Sequence, residues 1–199
     1  MDENEKTLDS EVKDAQPAYD VRYTYADYLK WDDDVRRELI DGVPYLMAAP
    51  NRRHQELSIN LLEQFIAFLK GKSCKVYHAP FDVRLDADTK DDTVVQPDIV
   101  IVCDHSKLDD AGCKGVPDMV VEILSPSTAS RDRNIKFNRY LIAGIREYWI
   151  IDPESETLAV NLLKDGDYIT HVYKKDETAP VRVLEGCSID LSEIFVDHP

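Results

Sequence analysis

The sequence predicts a mixed α/β (α+β) domain in which helices flank a central mixed sheet, and three observations predict it. Between Arg52 and Lys70, Leu57, Leu61, Leu62, Phe65, Ile66, Phe68 and Leu69 recur at helical spacing and Gly71 follows as a stop, which describes an amphipathic helix lying on a sheet. Short runs rich in Val and Ile, bounded by turn residues, read as strands on either side of it. One of them, Asp118-Met-Val-Val-Glu-Ile-Leu124, is nearly continuous in apolar residues, the pattern of a strand buried on both faces.

Taken in order, residues 1–20 hold seven acids and two bases with little apolar surface, too little to offset the entropy of ordering, so they read as a flexible acidic tail. Residues 21–199 then form a single domain. Thr24 can cap a short helix through Trp31, and Arg37 to Ile40 turns at Asp41-Gly42 to return as Val43 to Met47, a hairpin. After the long helix come strands at 75–78 and 81–85, an acidic loop over 86–92, and a strand at 97–103. A helix starts at Ser125-Pro-Ser-Thr128, runs to Ala143 and stops at Gly144; strands follow at 147–151, 157–163 and 167–173, the last two joined by a turn at 164–166.

Composition limits the function classes. The 199 residues carry 24 basic and 39 acidic side chains, 24 − 39 = −15 with histidine neutral, and 43% are apolar, with no uncharged apolar run long enough to span a bilayer. No membrane partner is expected. The N-terminal stretch lacks the basic and apolar regions of a secretory signal, so a cytoplasmic location is expected. Cysteines at 74, 103, 113 and 187 match no metal knuckle and read as reduced thiols, Cys103 in the core and Cys113 in a loop. The five histidines show no zinc-site spacing. The acidity argues against a nonspecific coat on nucleic acid, yet leaves room for a local basic site.

Two carboxylates are out of place. Glu122 lies inside Met119-Val-Val-Glu-Ile-Leu124, where an uncompensated charge costs several kcal/mol, and Asp98 heads the apolar run Ile99 to Val102. If these strands are neighbours the two acids converge, and a divalent cation held by oxygen ligands, Mg2+ or Mn2+, is the simplest partner that removes their repulsion. Separate ion pairs with buried bases are the alternative. Glu38, before the hairpin turn, could reach the same metal, whereas Asp41 is explained by turn chemistry. Asp132, Lys136 and Tyr140 share a helix face at i, i+4, i+8, which on spacing alone reads as a solvated salt-bridge pair and a core tyrosine. Arg131, Arg133, Lys136 and Arg139 against Asp132 give that helix a net +3 in nine residues, suited to holding a phosphodiester beside the acids. Arg52, Arg53 and His54 at the head of the long helix can add phosphate contacts, and a plain exposed N-terminal turn explains them equally well.

These residues resemble the Uma-two family of the PD-(D/E)XK nuclease-like superfamily. The resemblance covers about residues 23–175 and rests on Tyr23-Thr-Tyr-Ala-Asp-Tyr28, Glu38-Leu-Ile-Asp-Gly42, Arg53-His54, Gln96-Pro-Asp98, Val121-Glu-Ile-Leu-Ser-Pro-Ser-Thr128, Asp132, Lys136, Tyr140, and Gly144-Ile-Arg-Glu-Tyr-Trp149 with Asp152-Pro153. It implies a restriction-endonuclease-like fold and a metal-dependent endonuclease acting on DNA. Asp98, Glu122 and the backbone carbonyl of Ile123 would hold the Mg2+ or Mn2+. Glu38 would assist, Lys136 would orient the water or neutralise charge, and Arg53, His54, Arg131 and Arg133 would bind phosphate. Leu124 stands where the superfamily places its lysine, so Lys136 must reach in from the following helix. A homodimer is also expected, as such enzymes often cut in pairs. The competing readings are a non-catalytic domain that keeps the fold and binds nucleic acid or protein, and an interaction module whose acids are structural ion pairs.

Overall fold

The computed structural model describes residues 21–196, so the acidic tail expected over residues 1–20 lies outside the described residues. The chain builds two six-stranded mixed sheets and a small two-stranded one, where the sequence suggested one central sheet. The first sheet holds the hairpin β1 (Arg37–Ile40) and β2 (Val43–Leu46), with β4 (Asp82–Arg84), β5 (Val94–Val95), β7 (Leu108–Asp109) and β8 (Gly112–Lys114), in the order β2-β1-β5-β4-β8-β7. The second runs β12-β11-β10-β9-β6-β3, from β3 (Lys75–His78), β6 (Ile99–Val102), β9 (Met119–Ile123), β10 (Glu147–Asp152), β11 (Thr157–Lys164) and β12 (Asp167–Lys174). The hairpin joins the first sheet because Leu39 pairs with Val94, a strand of two residues that no sequence pattern announced.

Alternation along β6 and β9 sorts their side chains onto two cores. Ile99, Ile101, Met119, Val121 and Ile123 face Leu57, Leu61, Phe65 and Leu69 of the long helix α2 (Arg52–Leu69), while Val100, Val102 and Val120 pack with Tyr140, Tyr148 and Ile150 on the other side. Burying each large side chain of α2 contributes roughly 1.5–3 kcal/mol, which fixes the helix and therefore its N-terminal residues over the sheet. All five residues of β9 are buried, as its apolar run predicts. The helix expected from Ser125 begins instead at Ala129 and winds as a π-helix over Arg131–Lys136 before continuing as an α-helix over Phe137–Ala143. It ends where Gly144 takes φ +84 and donates to the Tyr140 and Leu141 carbonyls. The first helix is only Tyr25–Tyr28, stopping short of Trp31.

Two readings of the cysteines are corrected. Cys74 and Cys103 form a disulfide, because the antiparallel register of β3 and β6 pairs Lys75 with Val102 and so sets the two cysteines opposite one another at the next position. A separation of 29 residues in sequence gives no hint of that register. Cys113 is no loop residue; it is buried in β8 beside Val83 of β4. Alkylation of the denatured protein is expected to label two thiols, Cys113 and Cys187, before reduction and four after it; four labels without reduction would refute the bond. Among the described residues, no helix is long and apolar enough to cross a membrane.

Candidate active site

The register Ile99↔Val121 between antiparallel β6 and β9 sets Asp98 directly opposite Glu122 at one end of the second sheet. Helix α2 points its N-terminus at the same place: Asn51 caps it by accepting the His54 N–H at 2.9 Å, and the His54 imidazole Nε2 lies 3.2 Å from Asp98 Oδ2. That oxygen also accepts the Ile123 N–H at 2.7 Å. From the other side β1 delivers Glu38 and the π-helical segment delivers Asp132 and Lys136. The groups line a cavity of about 290 Å³ or, as with Glu38, stand behind one that does.

Lys136 is the hub. Its Nζ is 2.7 Å from Glu38 Oε1 and 2.7 Å from Glu122 Oε1, with Asp132 Oδ1 at 3.8 Å. Tyr140 donates to the same Glu122 oxygen at 2.7 Å, and the Gln96 N–H donates to Glu38 Oε1 at 2.9 Å. The idea of a solvated Asp132–Lys136 pair is overturned, since both residues are 2% exposed. Helical spacing put them on one face; it could not show that the face turns inward onto two carboxylates from distant strands. Tyr140 is fully buried, as expected, yet its hydroxyl serves the acid cluster.

The cluster carries more negative than positive groups. Glu38, Asp98, Glu122 and Asp132 meet Lys136 and, at 3.8 Å from Glu38 Oε2, Arg131. Burial pushes the Glu122 carboxyl well above its usual range; Lys136 opposes this, while Asp132, Asp98 and Glu38 reinforce it. Burial also raises Asp132, again with Lys136 opposing. For Lys136 burial alone would lower the pKa, but Glu122, Glu38 and Asp132 outweigh it and raise it, so the ammonium stays charged. Burial likewise works against charge on His54, and the bond to Asp98 outweighs it. Among the described residues, four buried polar atoms have no hydrogen-bond partner: Glu38 Oε2, Asp132 Oδ1, His54 Nδ1 and Arg131 Nε.

A divalent cation fits this donor set by charge. The contacts above use Oδ2 of Asp98 and Oε1 of Glu122, one oxygen of each. Among the described residues no three His, Cys, Asp or Glu side chains are grouped as metal ligands. A hard ion that keeps several waters, as Mg2+ does, needs only one or two carboxylates.

Arg131 and His54 line the cavity, but Arg53 and Arg133 do not. They lie on an adjoining groove of about 410 Å³, where Arg133 donates to Asp152 at 2.7 Å and Arg53 donates to the Val196 carbonyl at 2.7 Å and approaches Glu156 at 3.6 Å. Sequence reasoning missed Arg36, which lines the cavity and donates to the Gln96 side chain at 2.8 Å. Its place next to Arg37 in an exposed, acid-rich stretch gave no signal.

Residues 25–192 match the profile of the Uma2 family, described as "Putative restriction endonuclease". Two relatives come from Synechocystis sp. (strain ATCC 27184 / PCC 6803 / Kazusa). The uncharacterized protein slr1290 is 26% identical over 174 residues, 85% of this chain and 89% of the relative. The uncharacterized protein sll1609 is 27% identical over 134 residues, 65% and 74% of the two chains. The crystal structure of a "putative nuclease belonging to DUF820" from Anabaena variabilis ATCC 29413 superposes with a TM-score of 0.71 at 19% identity, over 87% of this chain and 97% of that one. The likeness covers most of both chains and shows a nuclease-like fold.

Proposed function

Because the chain belongs to the Uma2 family, we infer that its cavity hydrolyses phosphodiester bonds of DNA with the help of a divalent cation. The observation that carries this reading is the convergence of Asp98, Glu122 and Lys136, from two strands and a later helix, on one cavity. Lys136, 2.7 Å from Glu122, would stand in for the lysine that is absent at Leu124. Asp98 and Glu122, with the Ile123 carbonyl, are the residues that would hold Mg2+ or Mn2+. The cation would polarise a phosphoryl oxygen and acidify a bound water.

The chain's own groups do the rest. Glu38 and Glu122 hold the Lys136 ammonium charged at the cavity wall, ready to offset charge developing on a phosphate. Tyr140 steadies Glu122 from the core side. Arg131 Nε and His54 Nδ1, buried and without a hydrogen-bond partner, are N–H groups that can serve phosphate oxygens when His54 carries its proton there.

The observation favouring a non-catalytic domain is that Lys136 is 2% exposed and already bonded to two carboxylates, the geometry of a structural ion pair. Calorimetric titration with Mn2+ separates the two. The wild type is expected to bind metal and to cleave DNA only with metal present, and Asp98→Asn to lose both. A wild type that binds no metal and cuts nothing would leave the non-catalytic reading standing.

A further inference from the structure

We propose that the cavity takes single-stranded DNA, gripped through one phosphate at a time, and does not track the backbone of a duplex; this rests on the nuclease reading above and narrows its substrate. A protein that follows duplex DNA needs a row of cations free for successive phosphates, since the duplex carries one charge per roughly 1.7 Å of axis. Among the described residues, the cavity and its adjoining groove offer no such row. Lys136 is shared by Glu38 and Glu122, and Arg131 faces Glu38. On the adjoining groove Arg53 is held by Glu156 and Arg133 by Asp152. Among the described cations lining the two depressions, Arg36 alone has no carboxylate at ion-pair distance; it donates to the neutral Gln96 side chain at 2.8 Å. One phosphate can therefore be met by Arg36, with Arg131, whose Nε has no hydrogen-bond partner, lining the same cavity, while its neighbours find neutralised arginines.

Size and lining agree. The cavity, about 290 Å³, lies at the small end of ligand sites, room for a nucleotide unit and not for a helix. Half-buried Met47 and exposed Ala48, Ala49, Pro50 and Pro126 give its lining an apolar lip. Base faces are available to such a lip only when the strand is unstacked and unpaired. The net charge of −15 opposes any long polyanion that is not locally held.

Fluorescence anisotropy with phosphorothioate-protected strands in Mg2+, over a series of salt concentrations, tests this. A tetranucleotide and a dodecanucleotide single strand are expected to bind within about threefold of each other, with a log–log salt slope of about −0.7 to −1.4, one or two phosphates at roughly 0.7 each. The matching duplex is expected to compete at least tenfold more weakly. Arg36→Gln is expected to weaken single-strand binding about tenfold and flatten the slope by about 0.7. Its melting temperature should not move, because the Gln96 side chain keeps its bonds to Asp82 and Tyr28. A duplex slope near −5, tighter duplex than single-strand binding, or an Arg36→Gln protein that binds normally would overturn the proposal. Duplex cleavage with a steep slope would do so while leaving the nuclease reading intact. Binding as expected with no hydrolysis of unprotected strands would remove the nuclease reading and leave this recognition standing; no binding by any strand would remove both.

Discussion

Lys136→Met is expected to destabilise the fold by about 3–5 kcal/mol, the range seen when one partner of a buried ion pair is deleted and the other is left charged. The reason is numerical. One ammonium serves Glu38 and Glu122 at 2.7 Å each and Asp132 at 3.8 Å, and the second nearby cation, Arg131, reaches only Glu38, at 3.8 Å. Methionine fills the volume of the stem and removes the charge, so the loss reports electrostatics and not a cavity. The loss should depend on pH in a definite sense. Burial already raises the Glu122 and Asp132 carboxyls, and without the opposing ammonium they rise further. Groups whose folded pKa lies above the unfolded value add stability below the unfolded pKa and forfeit it as pH climbs through the folded one. The deficit of the variant is therefore smallest in acid and grows toward neutrality. Urea unfolding between about pH 5 and pH 8, with chelator present, measures it; a deficit under about 1 kcal/mol that is flat with pH would show that Lys136 is not the counter-charge.

How much of this was legible beforehand follows from which interactions are local. The long helix, the Asp41-Gly42 hairpin and the strand through Glu122 announced themselves, because periodicity and turn chemistry act over a few residues. Asp98 and Glu122 stood out because a carboxylate in an apolar run has an energetic cost wherever the chain goes. The inward turn of Asp132 and Lys136 did not, since a salt-bridge spacing on a helix reads the same whether water or Glu38 lies opposite. The pairing of Leu39 with Val94, which carries Glu38 to the site, and that of Lys75 with Val102, which joins Cys74 to Cys103, are register facts between distant segments. Arg53 and Arg133 illustrate the converse: positive residues near a candidate site, neutralised by Glu156 and Asp152 from parts of the chain that spacing could not connect.

Glu122→Gln should behave oppositely to Lys136→Met, costing activity and not the fold. The carboxamide oxygen can still accept from Lys136 and Tyr140, and Lys136 keeps Glu38 as its counter-charge, so no buried charge is orphaned. The change removes a carboxylate that burial holds well above its ordinary pKa and that Asp132, Asp98 and Glu38 repel. In the wild type this group adds stability at low pH and loses it as pH rises through its folded pKa. The variant lacks that slope, so the stability difference should shift in its favour from about pH 5 to pH 8, staying within roughly 1 kcal/mol of wild type or above it at neutrality. Metal-dependent hydrolysis, by contrast, should fall about 10³-fold, the equivalent of some 4 kcal/mol of charge stabilisation at the phosphoryl group. Urea curves in chelator and initial rates in Mg2+ are read on the same preparation. Should Glu122→Gln instead lose several kcal/mol at every pH while the wild type ignores metal, the carboxylate is a structural partner of Lys136 and the hydrolase reading falls with it.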